Sequence, residues 1–262
     1  MGKWKKWLSA GLYTAMLGTA IIAGPTADVR ANAGNKPYNI ENVSPDAHLA
    51  PSVGDSSSKT SSKAWHKIDG VCYNGSGKKV EGAITRGMDI SEWQGKINWK
   101  EAKKDLDFAF VRISYGTRHL DDYYDYNMTE AEAADVPVGT YVYSLAKTNK
   151  EALAEAQVAS RQMQGHKVSY PVAFDLEDEA TLGTLTRKEI SQIALTFCDE
   201  IRKAGYTPIL YMNLNWYNNF VDWNVLEGSG LDVWIASYGD TILAPSASKY
   251  KYTICYFQDH VI

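Results

Sequence analysis

Residues 170–213, YPVAFDLEDEATLGTLTRKEISQIALTFCDEIRKAGYTPILYMN, hold one full alternation of strand, helix and strand. Tyr170–Glu177 is an apolar run of strand length that ends in Asp-Leu-Glu. Thr186 and Glu189 have the spacing of a capping box, Ile190, Ile193, Phe197 and Ile201 recur at helical period, and Gly205 supplies a stop before a second apolar run, Pro208–Asn213. A strand, a helix and a strand in succession call for parallel pairing with the helix outside. The same alternation extends in both directions. Strand candidates lie at 85–91, 108–115, 138–145, 232–238 and 252–259, and helical patterns at 99–105, 129–134, 151–164 and 188–204. The expected fold is α/β, an irregular TIM-like barrel over residues 84–262, with little helix after Asn213.

The chain has 262 residues, 31 acidic and 27 basic side chains, 17 Tyr and 8 Trp, which excludes disordered and disulfide-framework classes. No Lys/Arg-rich run is present, so nucleic acid is not an expected partner. Lys3, Lys5 and Lys6 precede an uncharged apolar run, Trp7 to Ala23, and Ala31-Asn32-Ala33 offers a small-x-small cleavage site. Residues 1–33 therefore read as a secretory signal, with no membrane association expected after cleavage. Its removal leaves 30 acidic and 23 basic side chains, a net charge of −7. Residues 34–64 are Ser-rich and too polar to offset their ordering entropy, so a disordered linker is expected. Residues 65–83 read as a small β appendage with a hairpin turn at Asn74-Gly75. Cys72, Cys198 and Cys255 permit at most one intramolecular bridge, and neither they nor the five scattered histidines have metal-ligand spacing. No cofactor or metal is expected.

Chemistry in such a barrel collects at the carboxyl ends of the strands. Asp175 and Glu177 stand at i and i+2, on one face of a strand, with Cα atoms roughly 6.5 Å apart. Like charges that close cannot both ionise cheaply, so one of them should hold a proton near neutral pH. Asp89 ends the first strand in the same manner. Carboxylates converging at one mouth suit glycoside hydrolysis, which asks for an acid at the leaving oxygen and a second group at the oxocarbenium-like centre. The competing reading of Asp-x-Glu is a helix cap, and that of Asp178 and Glu179 a solvated turn.

Together, Gly87-Met88-Asp89-Ile90-Ser91-x-Trp93-Gln94-Gly95, Val138–Ser144, Pro171–Glu177, Ile209-Leu210-Tyr211 and Val233-Trp234-Ile235-Ala236-x-Tyr238 resemble glycoside hydrolase family 25. These are secreted and phage-type lysozymes that cleave peptidoglycan between N-acetylmuramic acid and N-acetylglucosamine. The resemblance implies a barrel of five βα units plus three strands. It also implies a catalytic set of Glu177 as general acid/base, Asp175 as its partner and Asp89 at the groove floor, with Tyr141, Tyr143, Tyr211 and Trp234 as substrate-binding aromatics. The implied partner is bacterial cell-wall peptidoglycan, and the protein is expected to act as a secreted or wall-associated monomer.

The end of the chain departs from the family pattern. Tyr256-Phe257-Gln258 matches its last strand, but the Val-Asp-x-Asn segment that supplies a further acid has no counterpart before Ile262, so a C-terminal truncation is expected. An alternative function is then a catalytically impaired cell-wall-binding module on the same scaffold. A chitinase-like enzyme is a weaker rival, because positions 170–173 hold Tyr, Pro, Val and Ala where its longer acidic motif would lie.

Overall fold

The structure, a computed structural model, describes residues 66–73, 77–80, 83, 85–236 and 252–256. The signal and linker segments and the chain after Tyr256 lie outside these residues, as does the proposed Asn74-Gly75 turn. Strands β1 (His66–Ile68) and β2 (Val71–Tyr73) pair antiparallel around Asp69-Gly70, where both residues take positive φ, 50° and 80°. The small hairpin is tied to the main body, since Lys67 Nζ donates to both oxygens of Asp107 and the backbone N–H of Arg86 donates to the same carboxylate.

The main body alternates strand and helix. In order it comprises β3 (Gly87–Ile90), a single 3-10 turn (Glu92–Gln94), α1 (Trp99–Ala102), β4 (Phe108–Tyr115), β5 (His119–Leu120), α2 (Tyr124–Ala133), β6 (Val138–Tyr143), α3 (Asn149–Gln162) and β7 (Val168–Asp175). It continues with α4 (Glu179–Leu182), α5 (Arg187–Lys203), β8 (Pro208–Asn213), α6 (Leu214–Asn219), α7 (Trp223–Leu226), β9 (Asp232–Ala236) and β10 (Tyr252–Tyr256). The strands pair in the order β3-β4-β6-β7-β8-β9-β10, all parallel, with β5 folded back antiparallel on β4. The expected capping box at Thr186 and Glu189 opens α5, and Gly205, at φ 92°, follows its last turn.

Two expectations need correction. The barrel is not closed, because among the described residues β3 and β10 are free edges and seven parallel strands are one short of the eight that close such a barrel. The sheet is nonetheless strongly curled. Phe110 on β4 and Trp234 on β9 are four strand steps apart, roughly 19 Å on a flat sheet, yet their ring centroids lie 5.4 Å apart. The crossover from β8 to β9 also carries two short helices, α6 and α7, where little helix was expected.

Period-2 alternation divides the buried residues into two cores. Ala109, Val111, Val142, Val172, Phe174, Leu210, Val233 and Ile235 face the helices. There α5 presents Ile190, Ile193, Ala194, Phe197 and Ile201, and Phe197 stacks on Phe174 at 4.0 Å. Each Val, Leu, Ile or Phe among them contributes about 1.5–3 kcal/mol by burial. The opposite face lines the inside of the curl, where Phe108 stacks on Tyr170 at 4.8 Å and Tyr211 meets Trp234 edge-on at 4.4 Å. Two register shifts shape this face. β7 takes four residues from Val168 to Val172 where β6 takes two, from Val138 to Thr140. Pro171, which has no N–H for the ladder, falls inside that shift. β4 takes one extra residue between Arg112 and Ser114.

The inner packing leaves no room for a side chain at Gly139. A Cβ there would stand 2.4 Å from Phe110 Cζ and 2.7 Å from the Pro171 carbonyl oxygen. Because the second neighbour is backbone, the strain has no easy release. Gly139→Ala is expected to destabilise the chain by about 1–3 kcal/mol, read as a lowered denaturation midpoint at unchanged slope.

Candidate active site

The carboxyl ends of β3, β6, β7, β8 and β9 deliver the candidate residues to the inner face. Cα register runs from Tyr143 to Asp175, from Asp175 to Tyr211 and from Tyr211 to Trp234, so these four form a continuous row across adjacent strands. Tyr141 lies two residues before Tyr143, opposite Arg112 on β4 and Ala173 on β7. Asp175 and Glu177 are 5% and 4% exposed, so neither has the solvation of an ordinary surface acid. The Glu177 N–H donates to Asp175 Oδ1 at 3.2 Å, and the Asp175 carbonyl accepts from Ser144 N–H at 3.0 Å. Burial, and then the Glu177 carboxylate beside it, push Asp175 well above the usual carboxylate range, with Asp89 and Asp178 adding to the effect. The electrostatic reach of Asp89 brings the third predicted acid into the same neighbourhood.

The helix-cap reading applies one residue further on. Asp178 caps α4, accepting from Thr181 N–H at 2.7 Å and from the Thr181 hydroxyl. It is buried rather than solvated, and the Tyr143 hydroxyl donates to its other oxygen at 3.3 Å. Asp175 and Glu177 are thereby left outside the cap.

The four aromatics differ in setting. Tyr143, Tyr211 and Trp234 are buried, Tyr143 stacking on Tyr115 at 4.8 Å, whereas Tyr141 is partly exposed. Burial raises the Tyr141 phenol; Arg112 opposes that shift, and Asp89, Asp175 and Asp121 reinforce it. Tyr141 is therefore a neutral hydroxyl among the acids. Among the described residues, no group of three or more His, Cys, Asp or Glu side chains is arranged to hold a metal. Cys72 and Cys198 are both buried free thiols.

Several polar residues here escaped the sequence reading. Arg112, at 2% exposure, pairs through Nη2 with Glu92 at 2.7 Å and through Nε with Asp121 at 3.0 Å. Its signal was a single charge within the strand Phe108–Tyr115, on the face opposite Val111 and Ile113. Glu155 sits among Ala152, Ala156 and Ala159 on the buried face of α3, a charge on an otherwise apolar stripe. It accepts from the Ser144 hydroxyl at 2.8 Å and from Leu145 N–H at 2.9 Å, clasping the loop that follows Tyr143.

The sequence from residue 88 to residue 260 matches the profile of Glycosyl hydrolases family 25. The chain belongs to this family. It is 25% identical to Lysozyme M1 of Streptomyces globisporus over 164 residues, covering 59% of this chain and 55% of that protein. The chain thus spans about half the length of the curated relatives it matches. Among solved structures, it resembles the Clostridium perfringens spore cortex lytic enzyme SleM, with a TM-score of 0.54 and 20% identity over 65% of this chain and 60% of that one. A family 25 glycosyl hydrolase from Bacillus anthracis gives a TM-score of 0.51 and 22% identity over 63% and 77%. The fold is shared with other family 25 proteins.

Burial pushes the Glu155 carboxyl up from 4.5 to about 7, against the two hydrogen bonds it accepts. In the unfolded chain this group loses its proton near 4.5, so from there to about 7 the native state binds more protons and stability falls as pH rises. Glu155→Gln removes that slope. The variant is expected to gain about 1–3 kcal/mol relative to the parent between pH 5 and pH 8, measured by denaturation at both values.

Proposed function

We propose that this chain is a secreted peptidoglycan hydrolase that cleaves the β-1,4 bond between N-acetylmuramic acid and N-acetylglucosamine. The observation that carries the reading is the buried Asp175 and Glu177 pair at the end of β7, whose crowding keeps a proton on the dyad. Family membership and the likeness to a lysozyme support the substrate class. The Lys3-to-Ala33 leader supports export to the wall, with residues 34–64 as a linker and the enzyme acting as a monomer without a cofactor.

In this mechanism the dyad's proton resides on Glu177 once the glycan is bound. Glu177 donates it to the glycosidic oxygen as the C1–O bond breaks, and the leaving sugar departs as an alcohol. Asp175 carries the negative charge toward the oxocarbenium-like centre and orients the substrate's 2-acetamido group, whose oxygen closes on C1. Glu177 then takes a proton from water as that water attacks C1 and reopens the ring. Asp89 and the neutral Tyr141 hydroxyl line the approach, and Tyr143, Tyr211 and Trp234 back the groove.

Glu177→Gln is expected to lower the release of reducing ends from purified peptidoglycan by at least about 100-fold while leaving the unfolding transition in place. Retained hydrolysis would remove the assignment. A wall-binding module without catalysis would instead sediment with peptidoglycan and release no reducing ends even as the parent chain. In Asp175→Asn the Glu177 carboxyl loses the nearest of its like charges, Asp89 and Asp178 remaining, and is expected to release its proton at lower pH. The alkaline limb of the residual kcat/KM profile is therefore expected to move toward acid.

A further inference from the structure

Trp93 is 55% exposed, the only aromatic among the exposed large apolar side chains of the described residues. It sits on the 3-10 turn that follows β3 directly, four residues past Asp89 and within about 14 Å of it along the chain. A single exposed apolar residue is ordinary on a protein surface. The mounting of this one is not.

The turn is held from every side. Ser91 N–H donates to Gln94 Oε1 at 2.8 Å, and Trp93 N–H to Ser91 Oγ at 3.4 Å, completing a capping box. Glu92, the preceding residue, donates its N–H to Asp121 at 2.7 Å and gives its carboxylate to Arg112 and His119 at 2.7 and 2.8 Å. On the other side, the buried Asn127 donates to the Gly95 carbonyl at 3.0 Å and accepts from Ile97 N–H at 3.1 Å. Burying an ion cluster such as Arg112 with Asp121 carries a desolvation penalty that hydrophobic residues would avoid. Its geometric result is a three-residue turn with almost no freedom, whose central side chain is a flat ring open to solvent.

A ring fixed before binding loses little entropy when a ligand covers it. An indole matches the apolar C–H face of a pyranose, with its N–H left to a polar edge. We propose that Trp93 is a saccharide-stacking platform that takes one hexosamine ring of the glycan strand at the β3 edge of the groove, beyond the sugars flanking the cleaved bond. This inference rests on the glycan-hydrolase reading above.

The test uses the full chain carrying Glu177→Gln, so that binding is read without turnover. The probe is a tetrasaccharide of alternating N-acetylglucosamine and N-acetylmuramic acid, titrated calorimetrically. Adding Trp93→Ala is expected to raise Kd about tenfold, while Trp93→Tyr, which keeps a flat ring, stays within about threefold of the Glu177→Gln parent. Because the indole is exposed, neither change should move the unfolding midpoint. Equal affinity with Trp and Ala at position 93 overturns the platform and leaves the hydrolase reading standing. Equal loss in the Ala and Tyr variants also overturns it, because stacking would then not be the cause. A Glu177→Gln chain that binds no tetrasaccharide at all removes both.

Discussion

The packing of Phe110 against Trp234 inside the curl is the constraint on which the rest of the mouth depends. Neighbouring strands are held at hydrogen-bonding distance whatever their curvature, so the ladders alone leave the sheet free to splay. Aromatic rings meeting across four strands fix how tightly it rolls. The roll has a steric cost that small residues absorb, as at Gly139 and Gly87, where a Cβ would meet the rings of Phe110 and Phe108. The outer core of aliphatic side chains against α3 and α5 then covers a surface whose curvature is already set.

Curvature turns a row of strand ends into a cluster of charge. Asp89 and Asp175 belong to strands that are not neighbours in the sheet, yet Asp175 is shifted by Asp89 and Tyr141 by both. The nearby cation does not neutralise them. Arg112 lies two register positions from the row, but its guanidinium is engaged by Glu92 and Asp121. The excess negative charge at the carboxyl end of β7 therefore persists, and a buried acid in that setting keeps its proton where a solvated one would have lost it. The same Arg112 contacts stiffen the turn after β3, so one ion cluster serves both the electrostatics and the shape of the rim.

Much of this was legible in the chain itself. Strands β4, β6, β7 and β8 and helices α3 and α5 stand where hydrophobic period, the Thr186 cap and Gly205 place them, because those signals are local. Strand periodicity singled out Asp175 and Glu177, although β7 ends at Asp175 and Glu177 stands just beyond it, with its N–H on the Asp175 carboxylate. What stayed hidden depends on contacts distant in sequence. Glu155 is an ordinary helix residue until the loop at Ser144 closes on it, and Asp178 reads as a solvated turn until Tyr143 reaches it. An open edge at the last strand was foreshadowed by the missing terminal segment, whereas the open edge at β3 among the described residues was hidden, since strand count by pattern does not reveal which ends meet.

The two register shifts have a consequence in the arithmetic of insertion. On β7 the irregularity absorbs an even number of extra residues, so the strand leaves it in the phase in which it entered, with Asp175 facing inward and Phe174 outward. On β4 it absorbs an odd number, and the phase reverses: Tyr115 comes to the inner face and stacks on Tyr143. Length changes in β7 upstream of Val172 are thus tolerable only in pairs. A single inserted residue that carried through the strand would exchange its faces, sending the carboxylates into the aliphatic layer and an aromatic ring and a leucine into the mouth.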